Sequence, residues 1–339
     1  MKIAFHSYQL GERGTEICLY KYAKYNREVL GNESVIISTS TRPTPSLSRF
    51  KDEFEVFLYP QVWNSQNSGK DNNELIATLE SYVEKNSIDA FYAIKGGDKD
   101  DFMPRNCKTL AHAIFRMDEP HGDVYAGVCK YISDKYGGIH PYVYHIINAP
   151  EVSGNMREDL NIPQDAMVFG RHGGKDTFSL DWVKPVVGRI LEKRKDAYFL
   201  FLNTDKFIDH ERVIYLPPII DEAEKTKFIT TCDAMLHARL DGEIFSLSTA
   251  EFSIQNKPVI SWSGLINHGG QVVRHPYYDI GHLEVLRDSG IYYHGPQDLE
   301  QILLDITKDF INSRDWDVYK DTYSPENVMN QFKEVFLAN

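Results

Sequence analysis

The stretch HARLDGEIFSLSTAEFSIQNKPVIS, residues 237–261, decides how the chain is read. It follows a short apolar strand, AMLHA (234–238). Glu243 and Glu251 stand eight positions apart across what reads as a helix start. Asn256-Lys257-Pro258 closes the helix, and Val259-Ile260-Ser261 begins another apolar run. Strand, loop, helix and strand in so few residues is the repeating unit of a parallel sheet.

The same rhythm extends in both directions. KIAFHSY (2–8) reads as a strand. A helical stripe, Leu19, Tyr22, Ala23, Asn26 and Leu30, follows it and closes at Gly31. SVIIS (34–38), a helix over 74–86 and DAFYAI (89–94) continue the series. HAIFRM (112–117), VYAGVCKYIS (124–133) and YHIINAP (144–150) read as its last strands. The alternation restarts with AMVFGRHGG (166–174), a helix over 181–194, AYFLFLN (197–203), VIYLP (213–217) and a helix over 222–232. Apolar strands alternating with helices imply parallel sheets covered on both faces. The expectation is an α/β chain of two Rossmann-like, doubly wound domains facing across a cleft, at 1–155 and 156–323. A terminal amphipathic helix at 324–339, capped by Ser324, carries Val328, Phe332, Val335 and Phe336.

Composition narrows the function. With 339 residues and a formal net charge of −12, the chain is large enough for two domains and lacks the basic block that nucleic acid rewards. No apolar run reaches the ~18 residues of a membrane span, and MKIAFHSYQLGERG reads as the strand that opens the fold rather than a secretory leader. Four scattered cysteines suggest reduced thiols and a cytoplasmic protein. No metal is expected. Two D-x-D matches, Asp98/Asp100 and Asp315/Asp317, read as solvated acidic loops, and the stretches at His268 and His275 read as polar loops, with lining of the cleft as the alternative. The sequence sets no oligomeric state.

Three motifs carry chemistry. Ser248-Thr249-Ala250-Glu251 has capping-box spacing, so a helix starts near Ser246, Leu247 and Ser248 and offers backbone N–H groups to a phosphate. Glu243 on the preceding loop and Glu251 one turn inside suit sugar and ribose hydroxyls. A plain cap with a solvated Glu243 is the simpler alternative. In VFGRHGGKDTF (168–178) a strand runs into glycines, with Arg171 as a fork and Lys175 as a point charge for a diphosphate. In LGERGTEICLY (10–20), Gly11 and Gly14 form the ligand-facing loop after the first strand, and Thr15 is expected to cap the first helix.

Taken together these motifs resemble the retaining glycosyltransferases of the GT-B fold, in the family that includes sucrose synthases and bacterial mannosyltransferases. That family carries E-x7-E, here Glu243 to Glu251, with "EIFSL" where "EGFGL" is usual and "NKPVI" where "GKPVI" is usual. The resemblance implies transfer from a nucleotide-diphosphate sugar to a glycan or other hydroxyl acceptor, with retained configuration and no cofactor beyond the donor. It implies that Arg171 and Lys175 hold the diphosphate with the amides at Ser246, Leu247 and Ser248. Glu251 would then bind ribose, Glu243 would lie by the sugar, and Gly11, Gly14 and Thr15 would approach from the first domain. His121 is the candidate for the family's N-terminal-domain histidine, and the resemblance implies that the helix at 324–339 crosses back to the first domain. A GDP-sugar is slightly favoured over a UDP-sugar. Two alternatives stay open: a nucleotide-sugar 2-epimerase, and a non-catalytic sugar- or nucleotide-binding protein.

Overall fold

The computed structural model describes residues 1–42, 44–60, 69–100, 102–269 and 271–338. The chain forms two compact units, Met1–Ile146 together with Thr322–Asn339, and Ile147–Asp321.

Unit 1 runs β1 (Lys2–His6), α1 (Gly14–Glu28), β2 (Glu33–Thr39), α2 (Leu47–Glu53), β3 (Glu55–Tyr59), α3 (Gly69–Lys85), β4 (Ala90–Lys95), β5 (Lys108–Ala113), β6 (Val124–Gly127) and α4 (Lys130–Lys135). Its six strands are parallel, in the order β3-β2-β1-β4-β5-β6. Every residue of β4 is buried, as a central strand covered on both faces requires. The winding changes direction between β1 and β4.

Unit 2 runs β7 (Met167–Arg171), α5 (Val183–Lys193), β8 (Ala197–Leu202), β9 (Val213–Leu216), α6 (Glu222–Thr231), β10 (Ala234–His237), β11 (Gly242–Glu243), α7 (Leu247–Ser253) and β12 (Val259–Trp262). It continues with the hairpin β13 (Leu265–His268) and β14 (Gln271–Arg274), then β15 (Asp279–Ile280), α8 (Gly281–Leu286), β16 (Gly290–Tyr293), α9 (Pro296–Asp305) and α10 (Lys308–Asn312). The main sheet is parallel, ordered β16-β12-β10-β7-β8-β9, so here the winding reverses between β7 and β10.

The chain then returns to unit 1 as α11 (Pro325–Phe332) and a π-helical last turn, Lys333–Leu337. Ser324 caps α11 by accepting from the Asn327 N–H. Phe332 is fully buried against Phe5, Tyr22 and Tyr92, with ring centroids 5.5–6.4 Å apart.

Three sequence expectations need correction. YHIINAP is not a strand. Its apolar residues are buried, but the Tyr144 N–H donates to the Gln331 side chain of α11 at 3.0 Å and the Tyr144 carbonyl accepts from Tyr22 Oη at 2.6 Å, so no ladder is available to it. The strand placed at 112–117 lies at Lys108–Ala113 and ends where Phe115 and Arg116 turn back to donate to the Gly96 carbonyl. The run 124–133 divides, with four residues in β6 and the rest turning at Cys129 into α4.

Beneath the last turn, His112 is fully buried. Its Nδ1 accepts from Tyr92 Oη at 2.7 Å, and its Nε2 donates toward the carbonyls of Gly127 at 3.1 Å and Val143 at 3.0 Å. That pattern suits a neutral ring, and burial lowers its pKa to about 4.

Two outcomes follow. Phe332→Ala costs about 3–5 kcal/mol of stability, measured by denaturant unfolding, because the aromatic site cannot collapse around the loss. The neutral His112 contributes stability that is present above the unfolded pKa of 6.5 and is lost as pH falls toward about 4. The melting temperature therefore drops across that interval, and it drops less in His112→Gln.

Candidate functional site

In a doubly wound sheet, ligands bind outside the carboxyl ends of the strands where the winding reverses. In unit 2 that place is flanked by the loop leaving β7 and the loop leaving β10. These are the two stretches singled out in the sequence, GRHGGKDTF and ARLDGEIFS.

β7 passes close to its neighbours because Gly170 has no side chain. A Cβ there would lie 2.2 Å from Cys232 Sγ and 3.2 Å from the Phe252 ring. The strand ends at Arg171, which is 3% exposed. Its guanidinium donates to the carbonyls of Leu202 (3.3 Å), Asn203 (3.0 Å) and Gly174 (2.6 Å), and to the hydroxyls of Thr204 (2.6 Å) and Thr177 (2.5 Å). Asn203, in left-handed backbone at φ 52, returns a bond to the Gly173 carbonyl. Arg171 thus stitches the loop after β7 to the loop after β8. Burial lowers its pKa to about 10, while Glu243 and Asp176 favour its charge. The free phosphate fork expected from the sequence is occupied by loop carbonyls in this conformation. Lys175 differs. Its side chain is 66% exposed and pairs with exposed Asp205 at 2.9 Å, a contact that a stronger anion can replace.

Glu251 is 6% exposed and lies between Lys225 and His172. Its Oε1 is 2.5 Å from Lys225 Nζ on α6. Its Oε2 is 3.1 Å from His172 Nε2, without the alignment of a full hydrogen bond. His172 stacks on Phe252 at 5.7 Å, and burial holds its pKa below the usual histidine range against the pull of Glu251. The capping box expected at Ser248–Glu251 is not formed. Ser246 is the cap and accepts from the Thr249 N–H, and Ser248 Oγ lies 3.1 Å from Ser246 Oγ. Glu251 is drawn inward by Lys225 instead. Ser246 is buried, while Leu247 and Ser248 are half-buried at the start of a seven-residue helix, too short for a strong dipole.

Glu243 stands on β11, held by backbone packing. Gly242 has φ +66, and a Cβ there would lie 2.0 Å from the Asp279 carbonyl oxygen. A Cβ on Gly281 would lie 1.9 Å from that of Ile244. The half-buried Glu243 carboxylate takes Arg239 Nη1 on Oε2 at 2.8 Å and approaches His237 Nε2 with Oε1 at 3.5 Å. It is not a solvated loop residue.

In unit 1 the loop after β1 carries Gly11 and Gly14, both in ordinary backbone conformations, with the Gly11 carbonyl accepting from Ser46 Oγ at 2.8 Å. Thr15 does not cap α1. The helix starts at Gly14 with Arg13 in the cap position and no side-chain cap, which leaves Thr15 inside the first turn. His121 is half-buried, with Nδ1 2.8 Å from the Glu119 carbonyl and no hydrogen-bond partner on Nε2. Burial lowers its pKa, and it lies near enough to Lys95 and Asp100 for their charges to act on it.

The structure places another group at the unit 1 reversal. Lys95, buried at the end of β4, pairs with Asp100, which also accepts from Tyr8 Oη after β1. Burial would raise the Asp100 carboxyl, but the Lys95 ammonium holds it below its ordinary value. Asp100 is therefore not the solvated acid expected of the first D-x-D, whereas Asp98 is exposed beside Arg116. Spacing gave no signal for this group, because Tyr8 and Asp100 are 92 positions apart. Among the described residues, no three His, Cys, Asp or Glu side chains converge as metal ligands do, and no helix is long and apolar enough to cross a membrane.

No family model and no curated protein matches the chain. Solved structures do. The crystal structure of Anabaena HepE in complex with UDP and glucose superposes with a TM-score of 0.72 at 13% identity, over 100% of both chains. The fold is GT-B. A glycosyltransferase from Rickettsia africae gives a TM-score of 0.65 at 14% identity, over 99% of this chain and 97% of that one. A putative UDP-N-acetylglucosamine 2-epimerase from Listeria monocytogenes gives 0.61 at 12% identity, over 99% and 96%. Both glycosyltransferases and an epimerase therefore stand among the neighbours that share this fold.

The difference between Glu251 and Lys175 is measurable in thermal denaturation. Glu251→Ala strands Lys225 without a buried counter-charge and costs about 3–5 kcal/mol. Lys175→Ala, at an exposed pair, stays within about 0.5 kcal/mol of wild type.

Proposed function

We propose that the chain is a retaining glycosyltransferase that moves a hexosyl or deoxyhexosyl group from a UDP-sugar to a hydroxyl of a glycan or similar acceptor, without a metal. The observation that carries this reading is the pairing, at the winding reversal of unit 2, of an exposed lysine on a glycine loop with an anchored carboxylate on the adjoining loop. Full-length likeness to glycosyltransferases of the same fold supports it. The E-x7-E spacing is the support for retention.

The roles divide by exposure. Lys175 leaves Asp205 to neutralise the diphosphate, with the amides at Leu247 and Ser248 beside it. Arg171 acts by holding the Gly173–Thr177 loop in place. Glu243 receives sugar hydroxyls. Glu251, paired with Lys225, reaches ribose hydroxyls with the acceptor capacity that Lys225 and His172 leave. Gly11, Gly14, Thr15 and the Lys95–Asp100–Tyr8 group, with His121 beside it, form the acceptor side in unit 1. The bond from the anomeric carbon to the diphosphate oxygen breaks, the acceptor oxygen bonds on the same face, and its proton passes to the departing diphosphate. Stabilising that leaving charge is the largest contribution asked of the protein. HepE structures hold UDP, which supports a uridine donor over the guanosine donor that the sequence slightly favoured.

A second reading, epimerisation, is favoured by the Listeria neighbour. It would release a free epimerised product without an acceptor. Incubation with UDP-glucose or UDP-N-acetylglucosamine and product analysis separate the two.

Thermal shift with UDP, GDP, ADP and dTDP tests the donor. A ligand at 100 times its Kd stabilises the native state by about 2.7 kcal/mol. UDP raises the melting point of wild type, and Lys175→Ala removes most of the rise. Equal effects of all four nucleotides, or of none, would overturn the uridine assignment.

A further inference from the structure

Behind Glu243 lies a chain of buried polar groups that no part of the proposed chemistry uses. His237, 4% exposed at the end of β10, presents Nε2 to Glu243 Oε1 at 3.5 Å. Its Nδ1 is 3.0 Å from Ser261 Oγ on β12. Ser261 Oγ, fully buried, is 3.1 Å from His282 Nε2 on α8, and that nitrogen is 3.4 Å from Tyr278 Oη. Tyr278 Oη donates to the Trp262 carbonyl at 2.5 Å, which leaves its oxygen to act as an acceptor. The rings of His237 and His282 are 4.9 Å apart.

Donor and acceptor rules set the direction of the chain. An ionised Glu243 only accepts, so His237 Nε2 carries the proton and Nδ1 accepts from the Ser261 hydroxyl. Ser261 then accepts from His282 Nε2–H. His282 is neutral in this arrangement: burial, reinforced by His237, holds its pKa far below the usual histidine range against the pull of the Glu243 backbone, and its Nδ1 lacks an aligned hydrogen-bond partner, which leaves the proton on Nε2. The alternative direction would put a bare Nε2 against a carboxylate. At 3.5 Å the His237–Glu243 contact is long, as such contacts often are before a ligand closes the site.

We propose that His237 is the positioning residue of this site: locked in its Nε2–H form by Ser261 and His282, it holds the Glu243 carboxylate as a fixed acceptor for sugar hydroxyls. With Arg239 on Oε2 and His237 on Oε1, each carboxylate oxygen keeps one open lone-pair direction. Two parallel acceptors match two neighbouring hydroxyls, so the site selects a donor sugar with a free vicinal diol. This inference rests on the placement of Glu243 by the donor sugar.

Two measurements test it. The first is ring nitrogen NMR of the whole protein, which is independent of any substrate. His237 is expected as the neutral Nε2–H form in wild type, with that preference lost in Ser261→Ala. An Nδ1–H ring in wild type, or no change in Ser261→Ala, would overturn the lock. The second is steady-state turnover of UDP-glucose. His237→Leu is expected to lower kcat about 10- to 100-fold, the worth of a hydrogen bond to a charged group, with KM changed less than about twofold. His237→Gln, whose amide reaches the same place, restores most of the rate. An unaltered kcat in His237→Leu, with Glu243→Gln impaired, sinks the positioning role alone. An unaltered kcat in Glu243→Gln sinks the donor-site reading with it.

Discussion

The close approach at Gly170 supports the rest of the candidate site. With no Cβ there, β7 packs directly on Cys232 and Phe252. Phe252 in turn stacks on His172, and His172 faces Glu251. One missing methyl group thus sets the distance between the strand that delivers the glycine loop and the helix that carries the second glutamate. The consequence is a site built on strand ends and packed rings, which are stiffer supports than loops.

The two glutamates that look alike in sequence are chemically different in the fold. Glu251 is a buried member of a His172–Glu251–Lys225 triad, where removing a partner leaves an uncompensated charge. Glu243 is half-buried, with Arg239 on one carboxylate oxygen and His237 near the other. The cations divide in the same way. Arg171 is enclosed and stitches two loops, while Lys175 reaches into solvent. In each pair, one member is enclosed by its partners and the other is more open to a ligand.

Much of this frame was legible in the sequence, and the failures have physical causes. Strands with long apolar runs and helices with clear stripes stood where their patterns put them, as in β7, β8, β10 and α6. The stretch 144–150 was misread because burial under α11 gives the same apolar signature as burial in a sheet. The edge strand β3 was passed over although Val56-Phe57-Leu58-Tyr59 is an apolar run, and its edge position leaves most of it only partly buried. The two loops at the unit 2 reversal were visible through their glycines and charges. Lys225, Ser261, His282 and the Lys95–Asp100–Tyr8 group were not. Their partners are set by which strands lie side by side, and spacing along one chain does not carry that information.

The return of Thr322–Asn339 to unit 1 also orders events during synthesis. The ring that fills the space between Phe5, Tyr22 and Tyr92 is Phe332, made only after every residue of unit 2. On the ribosome, the first unit to emerge is therefore the last to be completed, and it waits with an apolar face open while its neighbour folds. A nascent chain stalled before α11 presents that face to chaperones, so the burden of quality control falls on the half of the protein that was translated first.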